Sequence, residues 1–388
     1  MPAIPRPHVN PSVRIGPPRP IGHDSGQQRL PVRENLTSLR SALKRFSGSV
    51  QLAGMALEGC EPRTLLVALA PEPGLPMALD GPFSDAEYLY YDYAVYRTDL
   101  RAVVSARLQF AESPCPSGGE TYDLILLFLP KSKDLIEHVF SVLGQVLAPG
   151  GTLLVVGPKK SSIRSCKELL ARHVGPVVGT QAARHAMLLT VRKAVIESER
   201  VHGQQTYEIE AWGQRLRVVS LPGVFSHGRL DAGTEYLLAE LALPSWSEAL
   251  DFGCGAGVLG ALLRLARPDT RVDLVDSNVL ALDAARRTLR ANQLEDSGVW
   301  PSDALSDVTG TYDLIISNPP FHQGLATDFS ATNQLIKEAP SHLKRGGRLV
   351  LVANTFIDYI SHLRKHFREV SVLAQSPRYR ILDAQGPR

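Results

Sequence analysis

The chain has 388 residues, 44% hydrophobic and 21% charged, with a formal net charge of +3. That length exceeds one comfortable core, since single domains usually run to roughly 100–200 residues, and the composition argues against both wholesale disorder and a membrane protein. So small a net charge leaves any nucleic-acid contact to local patches.

From the start of the chain, residues 1–34 are rich in proline and arginine and carry no periodic apolar pattern, so they read as a flexible arm. They lack the apolar centre of a signal peptide, and no later run approaches the ~20 apolar residues of a membrane-spanning helix. A cytoplasmic location without membrane contact is expected. Between Arg6 and Arg45 eight basic residues face only Asp24 and Glu34, a stretch that either meets a nucleic acid or is simply solvated. Cys60, Cys115, Cys166 and Cys254 form no CxxC pair, so neither a zinc site nor a disulfide framework is expected, and no metal.

Further along, the chain repeats itself. Thr121-Tyr-Asp-Leu-Ile125 returns as Thr311-Tyr-Asp-Leu-Ile315, and Leu147-Ala-Pro-Gly-Gly-Thr-Leu-Leu-Val-Val-Gly157 is echoed by Leu343-Lys-Arg-Gly-Gly-Arg-Leu-Val-Leu-Val-Ala353. Solenoid units run ~20–50 residues, so a repeat this long means whole domains. Two copies of one fold are expected, over 35–200 and 205–388, joined by the polar stretch 197–205 and followed by a β-like segment at Arg215–Leu221. Each copy alternates β-branched runs with helical patterns, which predicts an α/β fold with a mostly parallel sheet and flanking helices. In the second copy the expected strands are Glu248–Phe252, Arg271–Asp276, Tyr312–Ser317 and Arg348–Ala353. Val279, Leu282, Ala285 and Leu289 mark an amphipathic helix between the second and third of these. Gly150-Gly151 and Gly346-Gly347 read as turns just before a strand.

Strand Glu248–Phe252 runs into Asp251-Phe-Gly-Cys-Gly-Ala-Gly-Val-Leu-Gly260 and then a helical segment, the order of a nucleotide site. Gly253, Gly255 and Gly257 let a ligand approach the backbone. A carboxylate at the loop entrance, Asp251, disfavours a pyrophosphate and suits a cationic amino-acid moiety. Asp276, with Ser277, ends the second strand where an acid accepts from a ribose diol. Asp303, with Ala304, follows the place where a third strand should end, and there a carboxylate accepts from an adenine amine. These groups together point to S-adenosylmethionine.

The strand Tyr312–Ser317 ends in Asn318-Pro-Pro-Phe-His-Gln-Gly324, and two consecutive prolines make that loop stiff. A base amine is a poor nucleophile because its lone pair is delocalised into the ring. The Asn318 side-chain oxygen and the Pro319 carbonyl are a natural pair of acceptors to restore density at nitrogen, and Phe321 offers a face on which an extruded base stacks. Pro320 and His322 complete the expected substrate side, the histidine with no titration role required.

The glycine loop, Ile316-Ser-Asn-Pro-Pro-Phe-His-Gln-Gly324 and the upstream Leu221-Pro-Gly-Val-Phe-Ser-His-Gly-Arg-Leu-Asp-Ala-Gly233 resemble the ribosomal RNA small subunit methyltransferase C family. The resemblance covers the C-terminal half well. It implies two tandem Rossmann-like methyltransferase domains, of which the second methylates N2 of a guanine in 16S ribosomal RNA. It further implies that Phe225, Asp231 and Gly233 lie over the cofactor and that Asn318 to Phe321 hold the guanine. The first copy reads Leu66-Val-Ala-Leu-Ala-Pro-Glu-Pro-Gly74 and Phe128-Leu-Pro-Lys131 at the matching places, so it keeps the fold without the chemistry.

Lys131, Lys133, Lys159, Lys160, Arg164 and Lys167 of the first copy are expected either to contact phosphate or to be solvated. The partner is then ribosomal RNA, within the small subunit or free, and the protein a monomer. Methylation of 23S ribosomal RNA, of adenine N6 or of a protein glutamine amide fits the same acceptor clamp, and a binding module without turnover or a small-molecule methyltransferase remains open. Because all the cofactor motifs lie beyond Gln205, a fragment starting there is expected to bind S-adenosylmethionine.

Overall fold

The repeat in the sequence is a repeat of topology. The structure, a computed structural model, describes residues 42–79, 83–103, 107–116, 121–196, 201, 203–319 and 330–388, so the proline-rich arm and part of the junction lie outside the described residues. In the first copy β1 (Leu65–Ala68), a buried apolar strand, lies between β2 (Glu87–Tyr90) and β4 (Tyr122–Phe128). Outside them run β3 (Arg107–Phe110) and β5 (Leu147–Pro158), and β6 (Val177–Ala183) with β7 (Ala186–Arg192) closes the edge as an antiparallel hairpin. The order is β3-β2-β1-β4-β5-β7-β6.

A hairpin, β8 (Gln205–Ala211) and β9 (Gln214–Ser220), leads into the second copy. There β10 (Glu248–Phe252), β11 (Arg271–Asp276), β12 (Gly298–Pro301), β13 (Tyr312–Ser317) and β14 (Leu343–Asn354) run parallel. With β15 (Phe367–Gln375) and β16 (Tyr379–Pro387) they take the order β12-β11-β10-β13-β14-β16-β15, strand for strand that of the first copy. Parallel strands are covered by helices on both faces, which is why runs such as Leu314-Ile315-Ile316 are apolar without alternation and fully buried. The amphipathic helix expected after β11 spans Val279–Ala291, and Asn278 caps it by accepting from the Leu280 N–H at 2.9 Å.

Two expectations need correction. The last parallel strand begins at Leu343, five residues before the expected Arg348, and Gly346-Gly347 lies inside it. These glycines form a bulge: the pairing with β13 shifts between Tyr312 and Leu314, Gly346 has φ +80°, and a Cβ on Gly347 would sit 2.7 Å from the Tyr312 carbonyl oxygen. Gly150-Gly151 does the same in β5. The polar junction, in turn, already contains the start of β8, whose exposed Glu208 and Glu210 alternate with half-buried Tyr207 and Ile209. With one wet face, β8 lacks the apolar run that marks the buried strands, and only its first residue falls in the expected junction.

The two copies share a core. One continuous cluster of buried apolar side chains runs from Leu66, Ile125 and Phe140 through Leu216 and Val218 of the hairpin to Leu262 and Leu274. The copies also meet through equivalent residues. Asp92, two residues past β2, pairs with Asn278, two residues past β11. The Tyr93 N–H donates to the Ser277 carbonyl at 2.8 Å and the Val279 N–H donates to the Tyr91 carbonyl at 3.0 Å. This is an isologous contact, as in a two-fold dimer, made within one chain.

Candidate active site

Strand β10 delivers the chain to a loop whose three glycines all take left-handed backbone, with φ +66° at Gly253, +53° at Gly255 and +78° at Gly257. The Gly253 and Cys254 N–H groups donate to the Val275 carbonyl at 2.9 and 3.0 Å, which fixes the loop against β11. A Cβ on Gly253 or Gly255 meets nothing within 4 Å, so this backbone faces open space. Gly257 serves packing instead, since a Cβ there would lie 3.1 Å from Ala285 on the covering helix.

Above the loop lies a cavity of about 720 Å³ that brings together Phe225, Asp231, Asp251, Asp276, Asp303 and Asn318. Gly253, Gly255, Ser277 and Ala304 line it too, and Gly233, just behind the wall, is buried. Phe225 stands 59% exposed at the rim, as a side chain without a partner on one face would. Ala304 has φ +49°, a conformation uncommon for a residue with a Cβ, in the loop that carries Asp303.

Three carboxylates are placed differently from the plain reading of their positions. Asp251 is not an entrance group: it is 1% exposed, and its Oδ2 accepts from the Gly260 N–H at 2.8 Å. Burial pushes its carboxyl up to about 7, against the pull of that N–H, so a cation arriving nearby favours its ionisation. Asp276 accepts from the Gly255 N–H at 3.0 Å and from the Asn278 N–H at 2.8 Å, one bond to each oxygen. Burial raises its pKa and those N–H groups lower it. An ionised carboxylate has about four acceptor sites, so capacity for a diol remains.

Asp231 caps the helix Ala232–Glu240, its Oδ2 accepting from the Gly233 and Thr234 N–H groups at 2.8 and 3.1 Å. That same oxygen accepts from Asn318 Nδ2 at 2.8 Å, and Asn318 Nδ2 also donates to Thr234 Oγ1 at 2.8 Å. A carboxylate demands the amide's NH₂, so the orientation of Asn318 is decided chemically. Its Oδ1 is left buried and without a hydrogen-bond partner among the described residues. Buried acceptors are almost always satisfied, and one left over at a cavity wall is a place for a donor to arrive. Pro319 follows, buried. Pro320, Phe321 and His322 lie outside the described residues.

These groups fit the expected S-adenosylmethionine: a loop without Cβ atoms on its open side, acceptors for a ribose and an amine, and a buried acid for a cation. Asp276→Ala should therefore weaken its binding roughly 10- to 100-fold, the value of hydrogen bonds to a charged group, as titration calorimetry would measure. Unchanged affinity in a folded variant would remove Asp276 from the site.

Sequence reasoning missed Thr234, Asn278 and, from the first copy, Tyr91 and Asp92, all of which line the cavity. Asn278 carried the usual signal of a capping residue before an apolar run. The others carried none, because the contact between copies is invisible along the chain. The matching place in the first copy is built differently. Tyr90 stands where β11 has Asp276, and its hydroxyl donates to Asp99 at 2.7 Å while the Gly74 N–H donates to the other Asp99 oxygen at 2.5 Å.

Fold and site together define a methyltransferase built of two copies of one fold. The family model described as Methyltransferase small domain matches residues 215–383, and that described as Methyltransferase small domain N-terminal matches 57–205. Ribosomal RNA small subunit methyltransferase C of Psychromonas ingrahamii is 35% identical over 326 residues, 82% of this chain and 91% of the relative. Its namesake in Pseudomonas paraeruginosa is 40% identical over 297 residues, 76% of this chain and 88% of the relative. The chain belongs to the ribosomal RNA small subunit methyltransferase C family. The solved structure of T. thermophilus 16S rRNA N2 methyltransferase (RsmC) in complex with AdoMet and guanosine is similar in fold, with a TM-score of 0.73 and 24% identity over 91% of this chain and 92% of that one.

Proposed function

We propose that the protein transfers the methyl group of S-adenosylmethionine to the exocyclic N2 amine of a guanine in 16S ribosomal RNA. The observation that carries this reading is the Asn318 amide at the cavity wall, tied by its nitrogen to Asp231 and Thr234, with a buried oxygen that has no hydrogen-bond partner among the described residues. When bound, S-adenosylmethionine supplies an electrophilic methyl group on a sulfonium. Asn318 Oδ1 and the Pro319 carbonyl would accept from the amine's hydrogens and hold its nitrogen, an effect of positioning and fixed dipoles, and the proton that the methylated nitrogen sheds would pass to solvent. Stacking of the extruded base falls to Phe321, with Pro320 and His322 beside it in sequence.

Asp276 takes the ribose, Asp303 the adenine amine, and Asp251 favours the cationic amino-acid end. The printed names of the relatives support 16S ribosomal RNA as the substrate. The first copy supports it as well: Lys131, Lys133, Lys159, Lys160, Arg164 and Lys167 are all exposed, follow the C-terminal ends of β4 and β5, and make no ion pair among the described residues. Cations in that state are suited to phosphate. In this reading the protein works in the cytoplasm as a monomer, with the small subunit as the natural context of its RNA.

The test is methylation of purified 16S and 23S ribosomal RNA, free and in subunits, with labelled S-adenosylmethionine, followed by nuclease digestion and mass spectrometry. N2-methylguanosine from 16S RNA is expected. Label on 23S RNA alone, on adenine N6 or on a glutamine amide would overturn the assignment.

A further inference from the structure

The loop that carries Asp303 is held from the other copy. Arg97 lies on the helix Tyr93–Ala102 of the first copy, and its side chain is only 16% exposed. Its guanidinium lies 3.1 Å from Asp307 Oδ2 and donates to Ser306 Oγ. Asp307 Oδ2 in turn accepts from the Asp303 N–H at 3.3 Å, and the single Ser306 hydroxyl hydrogen has two acceptors in reach, the Asp303 carbonyl at 2.7 Å and Asp307 Oδ2 at 3.0 Å. The two side chains of the turn 303–307 that tie back to Asp303 are thus the two that Arg97 holds, beside a backbone bond from the Ser306 N–H to the Asp303 carbonyl at 3.1 Å and a bond from the Leu305 N–H to Glu338 Oε2 at 2.9 Å. The same helix begins at Asp92, which caps it through the Val95 N–H and lines the cavity with Asp276 and Asp303.

Three carboxylates, Asp92, Asp276 and Asp303, around one end of a cavity repel one another. Asp307 would add a fourth negative charge to this corner. Arg97 pairs with it from outside the cavity, where a guanidinium, always charged and presenting several donors, holds both a carboxylate and a hydroxyl at once. The tie between copies at Asp92 and Asn278 fixes the helix from which Arg97 reaches.

We propose that Arg97, in the copy that has lost its own cofactor motifs, is a positioning residue for the adenine subsite of the other copy: by holding Asp307 and Ser306 it sets the turn that presents Asp303. The proposal rests on the reading of Asp303 as acceptor for the adenine amine. It gives the first copy a part in cofactor selection, beyond packing and RNA contact. It also gives the loss of the first copy's own site a structural counterpart, since the segment after β2 now serves its neighbour.

A readout that simple destabilisation does not move is the choice between adenine and hypoxanthine. S-adenosylhomocysteine offers an amine hydrogen to Asp303, whereas S-inosylhomocysteine offers a carbonyl oxygen, which a carboxylate repels. In the full chain, calorimetry should show a preference for the adenine compound of at least about tenfold, the worth of one hydrogen bond to a charged group. Arg97→Met should weaken S-adenosylhomocysteine by about that factor and leave S-inosylhomocysteine within about twofold, so that the preference collapses. Arg97→Lys, which can still pair with Asp307, should restore much of it.

The double variant Arg97→Met/Asp307→Asn leaves no unpaired charge and gives the same readout if the single variant fails to fold. Asp303→Asn distinguishes the role of Asp303 from that of Arg97. If it leaves the preference intact, the reading of Asp303 fails. If it abolishes the preference while folded Arg97→Met or the double variant retains it, the proposal for Arg97 is overturned.

Discussion

An Asn318→Ala protein is expected to lose about 100- to 1,000-fold in single-turnover methyl transfer while its affinity for S-adenosylmethionine falls no more than several-fold. The size is that of removing one preorganised dipole at a reacting centre. The split follows from which atom does what. Asn318 Nδ2 is engaged by Asp231 and Thr234 within the protein, while Oδ1 has no hydrogen-bond partner among the described residues and is the atom assigned to the substrate amine. Alanine removes that acceptor and leaves Asp231 capping its helix through the Gly233 and Thr234 N–H groups, so the wall should stand. An interaction made mainly in the transition state lowers kcat and kcat/KM together, which is the pattern to look for. Rapid-quench transfer near the wild-type rate would show that the amide oxygen is no part of the acceptor clamp. Asp231→Ala should give a smaller loss of the same kind, because it frees the amide to turn.

A fragment starting at Gln205 is the second large case, and here the structure points away from the outcome expected from the motifs alone. All the cofactor motifs lie within it, yet the fragment should lose S-adenosylmethionine affinity by more than about tenfold and expose apolar surface. The reason is the shared core: Leu216 and Val218 of the hairpin pack in one cluster with Leu66 and Phe140 of the first copy. Deleting the first copy also removes the Tyr93 N–H and the Tyr91 carbonyl that hold Ser277 and Val279, directly beside Asp276. Circular dichroism, dye binding and calorimetry on the fragment test this. A monodisperse fragment with the intact chain's affinity would show that the copies are energetically independent.

Some features were legible early because their cause is local. A buried parallel strand is largely apolar and β-branched, so β10, β11 and β13 were legible with their observed ends from the sequence alone. A backbone loop that a ligand must approach requires glycine, so Gly253, Gly255 and Gly257 could be assigned to it before their left-handed φ values were known. The duplication was legible for a similar reason, since the Tyr-Asp-Leu-Ile and Gly-Gly segments each do one geometric job in each copy. What that job was at Gly346 depended on the partner strand, because a bulge is defined by the register of two chains and not by one.

The sequence by itself determined the fold class, the number of copies, which copy keeps the cofactor motifs, and the residue types at the acceptor site. Periodicity, glycine spacing and paired prolines act over a few bonds, and such constraints are written along the chain. Only the tertiary structure decided that Asp251 is buried against the Gly260 N–H, that Asp231 accepts from Asn318, that Tyr91 and Asp92 line the other copy's cavity, and that Arg97 meets Asp307. Each of these rests on a contact between residues far apart in sequence. Arg97 and Asp307 are held 3.1 Å apart by the packing of two whole domains, and no local pattern carries the information that they meet.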